Sequence, residues 1–177
     1  MNNLNKIIIA VLTLTLAISC STANKVIPAN ITSMLNSHEF TFVAEHANPT
    51  NLDVINVMNS IPGGSSSRML NLDSGYTVEI RKDKLDVTLP YFGRMYTSNM
   101  DHSKNSYRFT SKDFNVNKKR GKKGSSVFTI VTNDQQNIRT ITMEVFLNGK
   151  AYVSIDSNDR QPISYDGYIT ENELTRK

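Results

Sequence analysis

The sequence predicts an all-β fold: an antiparallel meander closing into a small barrel or sandwich, lipocalin-like, with a short N-terminal helix. Three observations carry this expectation. From Glu39 onward the apolar residues recur with period 2, the spacing of a half-buried strand. Short β-rich runs then follow one another, separated by turn signals. The later half holds no connection of the dozen or more residues that a parallel crossover needs. The chain has 177 residues, 38% apolar and 20% charged, which suits one domain. Twenty basic against 16 acidic residues leave a net charge of +4, and there is one Cys and no Trp. This composition argues against disordered, collagen-like, cysteine-stapled and multi-span membrane classes.

The first segment reads as an address. One positive charge, Lys6, precedes the mostly apolar run Ile7–Ile18. That run falls short of the about 20 residues a membrane-spanning helix needs, and it fits the apolar region of a secretory signal. The only cysteine closes it, in Leu16-Ala17-Ile18-Ser19-Cys20. This resembles a bacterial lipobox, in which the cysteine thiol is alkylated by a diacylglyceryl group and the cysteine becomes the new N-terminus. Ala17 stands where Leu is commoner, and Ala17-Ile18-Ser19 also suits plain secretion through an A-x-A-like site. Residues 1–19 are thus expected to be a signal peptide, residues 20–37 a lipid-anchored tether and short helix, and residues 38–177 one β-rich domain. Removing residues 1–19 leaves 158 residues and takes away only Lys6, so the balance becomes +3. With no second cysteine, stability rests on an ordinary hydrophobic core.

The elements follow in order. Asn30 can cap a short helix carrying Ile31, Met34 and Leu35 on one face. Phe40, Phe42 and Ala44 alternate with polar residues, and a polar stretch follows through Asn48-Pro49 to Ser67. Strands are expected at Arg68–Leu72, Tyr76–Arg81, Leu85–Leu89, Ser106–Thr110, Phe114–Asn117, Ser126–Thr132, Ile138–Leu147, Lys150–Ile155 and Ile163–Thr170. Asn148-Gly149 is the strongest hairpin signal and suggests a type I′ turn.

Residues that could carry chemistry are few. His38 and His46 would share a face of one strand but stand about 26 Å apart, too far for one metal. Asp101-His102-Ser103 places triad residue types side by side, whereas triads assemble from distant segments, so a polar surface loop is the plainer reading. The motifs of zinc proteases, redox dithiols, α/β-hydrolases and phosphate loops are absent from the sequence, and no metal, cofactor or catalytic residue is expected. Lys118, Lys119, Arg120, Lys122 and Lys123 make five cations in six residues. They read either as a contact with an anionic surface such as lipid headgroups, or as a solvated hairpin tip that resists edge aggregation. No aromatic residue interleaves them for base stacking, so nucleic acid is not an expected partner. In Leu89-Pro90-Tyr91-Phe92-Gly93-Arg94 the proline cannot donate to a sheet ladder, so Tyr91 and Phe92 should leave the sheet at a corner. Residues Pro90, Tyr91, Phe92, Gly93 and Arg94 then either plug one end of the core or form a ligand or partner surface.

Phe40-x-Phe42, Ala47-x-Pro49, Leu89-Pro90-Tyr91-Phe92-Gly93-Arg94, Gly149-x-Ala151 and Arg160-x-x-Ile163-Ser164-Tyr165-x-Gly167 resemble a family of unknown function (domain of unknown function family 4251), small envelope lipoproteins of Bacteroidota. The resemblance spans about residues 38–170, implies a compact β-rich domain behind a lipid anchor, and brings no activity with it. Surface-bound members often carry an acidic run after the cysteine. Ser21–Lys25 has none, which points to the periplasmic side of the outer membrane. The functional expectation is a non-enzymatic binding or structural module, perceiving either a small apolar ligand in a hollow barrel or an envelope protein. The alternative is an assembly partner docking through the Leu89–Arg94 corner. An envelope hydrolase is the third, resting only on generic residue types.

Overall fold

The computed structural model describes residues 29–96 and 106–173. The expected signal segment, Cys20, the tether before Ala29 and the 101–103 loop lie outside these residues. The described chain is α1 (Ala29–Ser37), β1 (Phe40–Pro49), α2 (Leu52–Ser60), α3 (Ser66–Met69), β2 (Thr77–Ile80), β3 (Leu85–Pro90), β4 (Ser106–Ser111), β5 (Phe114–Arg120), β6 (Ser126–Thr132), β7 (Ile138–Val145), β8 (Lys150–Ser157) and β9 (Ile163–Thr170). The strands form one nine-stranded sheet in the order β4-β3-β2-β1-β9-β8-β7-β6-β5, every pairing antiparallel. The result is the expected meander, curled into a nearly closed barrel, with the short helix α1 before it.

The way it closes follows from strand direction. Counting antiparallel steps from β1 through β2 and β3, and separately through β9 to β6, both β4 and β5 run opposite to β1. Only Lys112 and Asp113 separate them. They are two halves of one bent strand that exchanges partner, pairing first with β3 and then with β6. Asp134 holds the bend. Its carboxylate accepts hydrogen bonds from the Ser111 hydroxyl and from the backbone N–H groups of Lys112 and Asp113. Those bonds, led by that of Ser111, lower the Asp134 pKa.

Alternation fills the interior. Phe40, Phe42 and Ala44 of β1 point inward, and a bulge between Ala44 and His46 then returns Ala47 to the core. Val78 and Ile80, Leu85, Val87 and Leu89, Phe128 and Ile130, Ile141, Met143 and Val145, Ala151, Val153 and Ile155, and Ile163 and Tyr165 complete it from the other strands. At one end, here called basal, α1 buries Ile31, Met34 and Leu35, and the turns at 81–84, 121–125 and 146–149 gather around it. The apical end holds α2, α3, the segment after β3 and the β8–β9 turn.

Three expectations need correction. The strand expected at Arg68–Leu72 is mostly helix α3, because Ser66 donates its N–H to Asn59 Oδ1 and Arg68 and Met69 donate theirs to Ser65 O. Only Asn71 forms a β-bridge, to His46. The polar stretch before it contains α2, which Asn51 caps by accepting the Asp53 N–H. The Asn148-Gly149 turn is not type I′, which needs positive φ at both residues, since only Gly149 has it, at 81°. Gly149 N–H donates to Phe146 O and Phe146 N–H to Lys150 O, so the loop is one residue longer than expected. Gly149 is also needed for packing, as a Cβ there would stand 2.9 Å from Ile31 Cδ1 of α1.

Candidate functional site

The apical rim is built from two segments that lie far apart in the sequence. β3 ends at Pro90, which offers no N–H to extend the ladder. Residues 91–96 then turn across the barrel mouth and fasten to the β8–β9 turn. Tyr96 N–H donates to Asp159 O, Gln161 N–H donates to Arg94 O, and Met95 bridges Arg160. Tyr91 folds back, its hydroxyl 2.9 Å from Arg94 O and 3.1 Å from Gln161 O. Gly93 permits this, because a Cβ there would meet that hydroxyl at 2.4 Å. Phe92 is half-buried and packs on the core, while Arg94 is exposed.

Arg160 is the centre of this rim, and sequence reasoning did not single it out as a site residue. It is buried, with its guanidinium carbon 5.1 Å from the Tyr91 ring centroid and 4.9 Å from that of Tyr107. Asp159 accepts from it through both carboxylate oxygens, at 3.1 and 2.8 Å. Burial works against the charged guanidinium, but the Asp159 hydrogen bonds and charge prevail and raise its pKa. Beneath it, Tyr107 shares a 2.7 Å hydrogen bond with Ser157, and Tyr165 donates to Pro90 O at 2.6 Å. Burial pushes the Tyr107 phenol up to about 12 and raises those of Tyr91 and Tyr165 as well. The rim is therefore a set of neutral phenols and one compensated cation, each committed to an intramolecular contact.

The basal rim carries the basic run. In β5, Phe114, Val116 and Lys118 share the inward phase and are half-buried. Lys118 turns its ammonium onto α1, donating to Leu35 O at 2.7 Å, with the Phe128 ring centroid 5.8 Å away. Lys119, Arg120, Lys122 and Lys123 are exposed instead. Among the described residues, none of these four side chains makes a hydrogen bond or ion pair within the chain. The hairpin turns through Lys123 at φ 54° and Gly124 at φ 82°. An open cleft of about 550 Å³ lies beside it, lined by Lys118, Lys119, Arg120, Ser125, Ser126 and Leu147. Glu144 is the neighbouring carboxylate, and it accepts the Ser125 hydroxyl at 2.6 Å.

His38 and His46 do not share a strand face. His38 precedes β1 at φ 59° and meets Phe128 edge-on, while His46 follows the bulge and bonds Asn71 Oδ1. Among the described residues, no group of three or more His, Cys, Asp or Glu is placed to hold a metal ion. No helix among them is long and apolar enough to cross a membrane.

These features define a class: a filled, nearly closed antiparallel barrel with one rim locked by aromatic and ionic contacts and the other studded with cations. The chain belongs to the family described as Domain of unknown function (DUF4251), whose model matches residues 24–169. No curated protein matches it. The matched span contains the Leu89–Arg94 and Arg160–Gly167 segments, and these are the two that meet at the apical rim.

Proposed function

We propose that this protein is a non-enzymatic binding or structural module of the cell envelope, anchored by a lipid on Cys20 to the outer membrane, facing the periplasm and acting through its outer surface. The observation that carries this reading is the packing of the interior. Phe40, Phe42, Phe128, Met143 and Tyr165 are fully buried there, so side chains occupy the space in which a small barrel would hold an apolar ligand. Recognition then falls to the rims and outer face. The Leu16–Cys20 pattern supports the anchor. Replacing Cys20→Ser in the native cell should move the protein from the membrane to the soluble fraction. Full retention in membranes washed with high salt, which removes electrostatic attachment, would refute the anchor.

A second reading, an assembly partner docking at the Leu89–Arg94 corner, is favoured by the exposed apolar residues of the same end. Leu52, Val57, Ile61, Met69 and Tyr96 all stand open there. Crosslinking in intact cells should trap one reproducible partner that is lost in Leu52→Ser/Val57→Ser. Its persistence in that variant removes this reading.

A further inference from the structure

We infer that the basal rim docks on an anionic phospholipid surface, with the Lys119–Lys123 hairpin contacting headgroup phosphates. The inference deepens the anchored reading above and rests on it for orientation. Three observations converge on one end of the barrel.

The first is charge. Lys119, Arg120, Lys122 and Lys123 stand exposed at a hairpin tip, their side chains without hydrogen-bond or ion-pair partners among the described residues. Glu144, whose Oε1 accepts the Ser125 hydroxyl, stands beside this turn and offsets one of the four charges, leaving the tip a net excess of three. The other acidic groups of this end, Glu39, Asp83, Glu171 and Glu173, flank β1, β2 and β9, so the positive face is the β5–β8 side.

The second is the route of the chain. α1 begins at Ala29 on this same rim, with Asn30 and Ile31 beside Asn148 and Gly149. Nine residue steps from Cys20 to Ala29 reach at most roughly 30 Å even when fully extended. The tether thus leaves the barrel at the basal rim. Only a fully extended tether lying along the barrel would let the other end reach the bilayer, which favours the basal rim as the membrane-facing one.

The third is the company the cations keep. Phe146 and Tyr168 are 42% and 41% exposed on the outer face near this rim. Tyr168 pairs with Lys150 in register, and Leu147 lines the cleft beside the basic hairpin. Aromatic rings beside lysines suit the headgroup level of a bilayer, where one side of each ring is apolar and the other wet.

The test uses the full chain carrying Cys20→Ser, so that no lipid contributes. Vesicles of phosphatidylglycerol mixed with phosphatidylcholine are compared with pure phosphatidylcholine. The apolar 7–18 segment contributes equally to every variant, so the readout is the difference between variants. Each cation held at an anionic surface raises partitioning about fivefold. Replacing Lys119, Arg120, Lys122 and Lys123 by Gln should therefore weaken binding to the anionic vesicles by about 600-fold. Replacing Lys112 and Arg139, exposed elsewhere, should change it less than about twofold. High salt should abolish the difference. An unchanged quadruple variant on anionic vesicles, or a loss of the same size on neutral ones, overturns the inference. So does displacement of the protein from vesicles by dextran sulfate at equal charge, which would assign the hairpin to an acidic polysaccharide. Because this chain lacks the lipid, a failure here leaves the anchor to be judged by fractionation alone.

Discussion

The two ends of the barrel treat positive charge in opposite ways. At the apical rim one arginine is enclosed between two tyrosine rings and joined to Asp159 by two hydrogen bonds. At the basal rim four cations crowd one hairpin, and among the described residues none of their side chains is paired. The difference lies in what surrounds them. Removing a guanidinium from water is costly unless a carboxylate and further contacts compensate. The apical rim supplies the carboxylate from the adjacent residue and the ring faces from β4 and the segment after β3. At the basal tip the four side chains are exposed, and the neighbouring Glu144 is no partner of theirs. Lys118 marks the boundary, since its inward phase sends it to the carbonyl end of α1 instead.

The strongest way to break this contrast is Arg160→Ala. It removes both ring contacts and leaves Asp159, 18% exposed, without its cation. Cation–π contacts and a half-buried ion pair together imply a loss of about 2–4 kcal/mol. Thermal unfolding should fall by roughly 6–12 °C for a domain of this size. Arg160→Lys should recover part of the charge pairing but not the planar stacking. Gln at all four basal cations should stay within about 0.5 kcal/mol of the wild type. If the basal variant costs as much as Arg160→Ala, the contrast between the ends is wrong.

A smaller effect comes from alkaline pH. The Tyr107 phenol is held up to about 12 against an ordinary value of 10.0. Above pH 10 the unfolded chain releases this proton while the folded chain retains it. Stability then falls as pH rises through the 10–12 window, by about 2–3 kcal/mol from this group. Tyr91 and Tyr165 shift in the same direction and add to the fall. Denaturant unfolding at both limits of that window checks this. Tyr107→Phe should be slightly less stable near neutrality, through loss of the Ser157 hydrogen bond, yet lose less on going alkaline. An identical pH slope in the two proteins would show that Tyr107 is not sealed from solvent.

Much of the barrel was legible because its information is local. Ser126–Thr132 and Ile163–Thr170 have the bounds expected from period 2, and β9 alternates from Tyr165 onward. The helix α2 was not legible. Leu52, Val54, Ile55, Val57 and Met58 lie at helical i, i+3 and i+4 spacings, but the run is short and set among polar residues, and the Asn51 cap starts it as a helix. The basic run was visible because its members are neighbours. Arg160 was hidden because what gives it meaning, the rings of Tyr91 and Tyr107, comes from other strands of the barrel. The bend between β4 and β5 was equally invisible, since it depends on Asp134, which closes it from the β6–β7 turn.

The smallest predicted effect sharpens the contrast most directly. Lys123 sits at φ 54° and ψ 26°, the left-handed region, where a Cβ costs an L-residue about 1–2 kcal/mol. Glycine is free of that penalty but loses about 0.5–1 kcal/mol more backbone entropy on folding. Lys123→Gly should therefore stabilise the domain by about 0.5 kcal/mol, or one to two degrees in thermal unfolding. Lys122→Gly, one residue earlier and without positive φ, should destabilise it by about 0.5–1 kcal/mol. Both variants lose one charge, so both should lower binding to anionic vesicles about fivefold. A gain in stability together with a loss in binding would mean that the tip keeps a strained lysine where glycine folds better. If Lys123→Gly instead destabilises as much as Lys122→Gly, the Lys123 side chain serves the fold, and the basal rim is less different from the apical one than its unpaired charges imply.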